Sequence, residues 1–170
     1  MNKLIITVLL IASFNLYANE CEITESQQSV LYFSYSYGKP YDLGYTMSAI
    51  AMQESDLGRY RINHKDPSGG YYHLTADKAV DKLGWSHTTF NENRALQRLI
   101  DDPVFAAEIA IDTLLWWEDY HSGDWRLTVS SYNGGFQGNP SYVKSIVENI
   151  KQIKRCGWLK EMLDTDSRGS

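Results

Sequence analysis

Asp42-Leu-Gly-Tyr-Thr-Met-Ser-Ala-Ile-Ala-Met-Gln-Glu-Ser-Asp-Leu-Gly58 is the stretch on which the fold turns. Leu43, Met47, Ile50 and Glu54 recur at three- and four-residue intervals, which puts them on one face of a helix. Gly58 is a natural stop for it. Glu54 closes that apolar stripe or lies at its edge. A lone glutamate at a helix end is ordinarily a solvated charge. Apolar neighbours disfavour the ionised form of a carboxyl, and a general acid needs that environment.

Working outward, the same periodicity recurs on both sides. Residues 24–37 begin at a Thr or Ser cap and end at Gly38-Lys39-Pro40, with a helix and a strand both open for their Tyr- and Ser-rich run. Residues 59–73 carry Gly, Pro, Asn and His without periodicity and read as a loop. Thr75 to Leu83 reads as a short helix closed by Gly84, and Asn91 to Ile100 as another. Asp102-Pro103 opens a stronger helix whose buried side is Val104, Ala107, Ile111, Leu114 and Leu115, ending at Trp116-Trp117. A helix from Asp124 to Tyr132 and one from Pro140 to Cys156 complete the set. The expectation is an all-α single domain with a small hairpin or irregular turn near 61–74.

The chain has 170 residues, 43% hydrophobic and 22% charged, enough for one core and too apolar for disorder. Lys3, the apolar run Leu4–Phe14 and Ala18 have the layout of a secretory signal over residues 1–18, with an uncleaved anchor as the alternative. The expected domain is then 19–158, followed by a flexible tail over 159–170, in the periplasm or outside the cell. The formal charge is −5, and loss of Lys3 makes it −6. No basic stripe interrupts that acidity, so nucleic acid is not an expected partner. The two cysteines, Cys21 and Cys156, sit at either end of the mature domain, and export makes a disulfide between them the expectation. His64, His73, His87 and His121 have irregular spacing and form no metal signature; no cofactor is called for.

Two further segments carry chemistry. Ser68-Gly69-Gly70-Tyr71-Tyr72-His73 is a glycine-rich turn that leaves room for a ligand against the backbone. Ser131-Tyr132-Asn133-Gly134-Gly135 lies at a helix end. In the order Ala49-Ile-Ala-Met-Gln-Glu54-Ser55, then Gly70-Tyr-Tyr-His-Leu74, then Ser131-Tyr-Asn-Gly-Gly135, with Tyr142-Val143 opening the last helix, they resemble the soluble lytic transglycosylases and goose-type lysozymes. The resemblance covers about residues 43–155. It departs from the family at Tyr71-Tyr72, in place of Leu-Met, and at His73, in place of Gln.

The resemblance implies a lysozyme-like domain, peptidoglycan glycan strands as the partner, and a monomer. It implies Glu54 as the single acid and base of a lytic transglycosylase. Protonated Glu54 would donate to the glycosidic oxygen between N-acetylmuramic acid and N-acetylglucosamine, and then remove the 6-hydroxyl proton to leave a 1,6-anhydro end. Ser55, Asn63, Ser68, Gly70, Tyr72, His73, Tyr132 and Asn133 are the expected substrate-binding positions. Among them, Asn63 or Ser68 fills the family's polar position, Tyr71 and Tyr72 shape a subsite, and His73 hydrogen-bonds a sugar group. Tyr132 is expected to hydrogen-bond near Glu54 or the acetamido group and hold it in place. Trp116, Trp117 and Trp125 fit either a sugar groove or the core. The enzyme could serve wall remodelling, a secretion or conjugation apparatus, or phage lysis. Lysozyme-type hydrolysis by water, an inactive wall-binding module, and an interaction protein with Glu54 as a cap are the rival readings.

Overall fold

The computed structural model describes residues 21–63 and 66–166. The expected signal segment and residues 167–170 lie outside the described residues. The protein is mainly α-helical, with one three-stranded antiparallel sheet of two-residue strands.

Helix α1 spans Glu25–Gly38. Its start explains why a helix forms where a strand was equally open. Thr24 and Gln27 form a reciprocal capping box, the Thr24 hydroxyl accepting from the Gln27 amide and the Gln27 side chain from the Thr24 amide. Such a box satisfies two orphan donors of the first turn. A short 3-10 turn, Lys39–Tyr41, leads to helix α2, Gly44–Ser55. Helix α2 is buried on nearly every side, with Met47, Ala49, Ile50 and Ala51 fully enclosed. That is the signature of a central helix, and α2 is packed between α1 and helix α7, Pro140–Cys156. Burying Met47 or Ile50 stabilises the domain by about 1.5–3 kcal/mol each.

After α2 come strands β1 (Ile62–Asn63), β2 (Ser68–Gly69) and β3 (Leu74–Thr75), in spatial order β1-β2-β3. Asn63 pairs with Ser68, and Ser68 in turn with Thr75. The hairpin expected near 61–74 is therefore present, extended by a third strand. Helix α3 (Ala76–Leu83) follows directly, then α4 (Thr89–Asp101) and α5 (Pro103–Tyr120). Asp102 caps α5 through the Phe105 amide, with Pro103 at the first helical position. Helix α6 (Trp125–Gly134), capped by Asp124, and α7, capped by Asn139, close the domain.

The C-terminal end differs from the expected flexible tail. Trp158 and Leu159 are buried, and residues Lys160–Asp166 form a further helix, α8. Trp158 brings the ends together: its indole donates to the Cys21 carbonyl at 2.8 Å, and its own carbonyl accepts from Gln28 at 2.8 Å. The expected disulfide joins Cys21 to Cys156 beside it, with 5.3 Å between their Cα atoms. Two apolar residues just beyond a terminal cysteine were the signal for this arrangement.

Candidate active site

Glu54 is the penultimate residue of α2. The helix stops because Asp56 and Leu57 adopt left-handed backbone (φ 51° and 54°) and Leu57 turns into the core. Ser55 holds that turn in place. Its hydroxyl lies 3.0 Å from the Ala51 carbonyl and 2.9 Å from the Tyr71 carbonyl, and it accepts from the Gly58 amide at 2.9 Å. Fully buried, Ser55 cannot touch a substrate, contrary to expectation. It ties the end of α2 to the turn before β3.

The Glu54 side chain is 16% exposed and is gripped from two sides. Tyr142, in the first turn of α7, donates to Oε1 at 2.6 Å. His73 Nδ1 faces Oε2 at 3.6 Å, and His73 Nε2 lies 2.7 Å from the Tyr60 carbonyl. Burial pushes the Tyr142 hydroxyl well above the usual phenol range, and the Glu54 charge pushes it further the same way. Tyr142 therefore stays protonated and can only donate to the carboxylate. Burial lowers the His73 imidazole. The Glu54 carboxylate beside Nδ1 and the Tyr60 carbonyl outweigh that, leaving it above its ordinary 6.5.

Tyr132 was expected near Glu54 or the acetamido group, and the bond to Glu54 is made by Tyr142. The Tyr132 hydroxyl instead donates to the Tyr72 carbonyl at 3.2 Å, and its ring lies near-parallel to that of Tyr142, centroids 6.5 Å apart. Tyr132 thus lies beside the tyrosine that holds Glu54. The Tyr-Val pair at the start of the last helix was visible in the sequence, but nothing in its spacing indicated that Tyr142 reaches back to Glu54.

The glycine-rich turn is also used differently. Tyr72 is fully buried with its hydroxyl 3.0 Å from Ser34, so its side chain belongs to the core and forms no subsite wall. Gly70 has φ +78°, and a Cβ there would stand 2.4 Å from the Leu99 carbonyl. The missing side chain lets α4 approach the turn. His73 hydrogen-bonds to the Tyr60 carbonyl and faces Glu54 at 3.6 Å.

Asn63, Ser68, His73 and Glu54 do line one recess of about 190 Å³, together with Asp66 and Lys78. A larger recess of about 650 Å³ adjoins it, sharing Lys78, Tyr132 and Asn133. A third, of about 290 Å³, shares Glu54 and Asn133 and runs past Gln53 and Tyr142 to Ser145. Asn133 borders all three, so together they form a groove with Glu54 in its middle reach. The Asn133 amide oxygen accepts from Asn139 at 2.7 Å, which fixes its orientation against the α7 cap.

Sequence reasoning missed Lys78 and Asp66 as lining residues. Lys78 lies on an amphipathic helix and reads as a solvated charge. Burial in the groove pulls its ammonium below the usual lysine range, against the opposing charge of Asp77. It also sits 5.8 Å from the centre of the Tyr132 ring. In the larger recess the two tryptophans divide. Trp117 is buried, whereas Trp116 is 53% exposed and stacks on Tyr120 at 5.6 Å. Phe136, 76% exposed, meets both tryptophans edge-on. Trp125 donates its indole N–H to Thr46 and helps pack α2.

The chain matches no protein-family profile and no solved structure. It is similar to an uncharacterised 20.7 kDa protein of the vs-regB intergenic region of Enterobacteria phage T4, at 24% identity over 176 residues, covering 91% of this chain and 94% of that one.

Proposed function

We propose that the protein is an exported peptidoglycan lytic transglycosylase with Glu54 as its single acid and base. The observation that carries this reading is the placement of Glu54: a largely buried carboxyl, held by Tyr142, in the middle reach of an open groove. A glycan strand is long and must pass through an open cleft. Its cleavage needs one well-held proton donor at the scissile bond. The exposed faces of Trp116 and Phe136 at one end of the groove suit the apolar faces of pyranose rings.

In this reading protonated Glu54 gives its proton to the glycosidic oxygen as the bond to C1 of N-acetylmuramic acid breaks. The substrate's N-acetyl group steadies the electron-poor C1. The Glu54 carboxylate then takes the proton of the 6-hydroxyl while its oxygen bonds to C1, and the acid is restored. Tyr142 stabilises the carboxylate between these steps. No second carboxylate is required, unlike in most glycosidases.

One observation favours a second reading, muramidase action by water. Asp66 borders the same recess as Glu54 and is a carboxylate available to activate a water. Mass spectrometry of muropeptides from purified sacculi separates the two: 1,6-anhydro ends support the transglycosylase and reducing ends the hydrolase. Asp66→Asn retains activity in the first case and loses it in the second. Binding to sacculi with no release of fragments sinks both.

A further inference from the structure

We infer that Glu54 and His73 hold one exchangeable proton between them, with the His73 tautomer set by the Tyr60 carbonyl, so that His73 is a positioning residue for the Glu54 acid. The inference rests on the reading of Glu54 as the acid of a glycan-cleaving site. His73 Nε2 is 2.7 Å from the Tyr60 carbonyl oxygen, which only accepts. Nε2 therefore carries a hydrogen whether the ring is neutral or charged.

Neutral His73 then turns an unprotonated Nδ1 toward Glu54 Oε2, 3.6 Å away. A lone pair facing a carboxylate oxygen is unfavourable unless a proton lies between them. The proton can sit on Oε2, giving a neutral acid that donates to a neutral imidazole. It can equally sit on Nδ1, giving an imidazolium beside a carboxylate. Both forms hold one proton and need only a small closure of the gap to reach hydrogen-bond distance.

The consequence for the reaction is a difference between histidine and an amide at this position. When Glu54 has passed its proton to the leaving oxygen, neutral His73 offers its carboxylate no hydrogen at Oε2. The carboxylate is left the stronger base for the 6-hydroxyl proton. A glutamine in that place can donate an N–H to the carboxylate and quiet it.

The other groups facing the pair come from each element around it: Tyr142 from α7, Tyr132 from α6, Lys78 from α3, and Asp66 from the sheet region, while the Tyr72 hydroxyl turns away to Ser34. The two tyrosines from α6 and α7 are held protonated, and Lys78 and Asp66 are of opposite sign. Among the described residues none of these contacts His73 Nε2 in place of the Tyr60 carbonyl.

Long-range proton–nitrogen NMR through a pH titration tests the inference without reference to activity. Neutral His73 is expected to carry its hydrogen on Nε2, with a protonation midpoint that falls by about one pH unit in Glu54→Gln. A hydrogen on Nδ1, or a midpoint that Glu54→Gln leaves in place, overturns the shared proton. The pH–rate profile on sacculi tests the positioning role. In His73→Gln the alkaline limb is expected to move to lower pH by about one to two units, with the fold intact by circular dichroism. An unmoved limb overturns that role. A wild type that gives the expected spectra yet releases nothing from sacculi at any pH supports the shared proton and overturns the glycan-cleaving reading.

Discussion

Tyr142 donates a 2.6 Å hydrogen bond to Glu54 Oε1 from 88 residues further along the chain. The bond joins the first turn of α7 to the last turn of α2, so the packing of these two helices aims the carboxyl. Tyr142→Phe removes the donor and keeps the ring that lies against Tyr132. Because a misaimed acid costs orientation, kcat on sacculi should fall roughly 100-fold with KM little changed. Stability should fall by only about 1–3 kcal/mol, as for a buried hydrogen bond to a charged group. Equal kcat in the two proteins would show that Glu54 is aimed by something else.

Glu54 and its helix were legible because a continuous run of small and apolar residues is a local signal; the stop was read at Gly58, whereas the helix ends at Ser55 with Asp56 in left-handed backbone. The partners of Glu54 were not legible. Tyr142 and His73 reach Glu54 through tertiary packing, and no spacing rule connects residue 54 to residue 142. The turn from Ser68 to His73 was recognised as special, but the packing that its glycines and Tyr72 carry was not. A glycine tells the reader that something comes close; it does not say whether that is a sugar or the Leu99 carbonyl. Lys78 and Asp66 looked like ordinary surface charges, and only the groove sets them apart.

Gly70→Ala distinguishes those two uses of a glycine. The new methyl group would meet the Leu99 carbonyl and sit on left-handed backbone. The expected cost is about 2–5 kcal/mol from strain and overpacking together. Thermal melting should reveal it, while activity per folded molecule at low temperature stays near that of the wild type. A changed KM with an unchanged melting temperature would return Gly70 to the substrate site.

Cys21 and Cys156 close a loop of 135 residues. In the chain-entropy account a bridge of that span stabilises by up to about 4–5 kcal/mol. Cys21→Ser with Cys156→Ser should lower the denaturation midpoint accordingly and free the end held by Trp158. The wild type should show a mass two hydrogens short of the reduced chain and no thiol open to alkylation. Two alkylatable thiols in the purified protein would remove the staple.

His73 also ties stability to pH, and the direction follows from its environment. Burial works against its charge, but the Glu54 contact and the Tyr60 carbonyl prevail, so the folded imidazole holds its proton above 6.5. A group whose folded pKa is raised stabilises fully below its unfolded value and loses that contribution as pH climbs through the folded one. The folded protein should therefore gain from His73 in mild acid and not in alkali. His73→Gln lacks this gain at every pH. Urea unfolding of both proteins at about pH 5.5 and about pH 9 should give a larger midpoint difference at the lower pH. Glu54→Gln, by removing the carboxylate that holds the imidazolium, should abolish most of that pH dependence. A midpoint difference that is the same at both pH values would mean that His73 and Glu54 do not interact in solution.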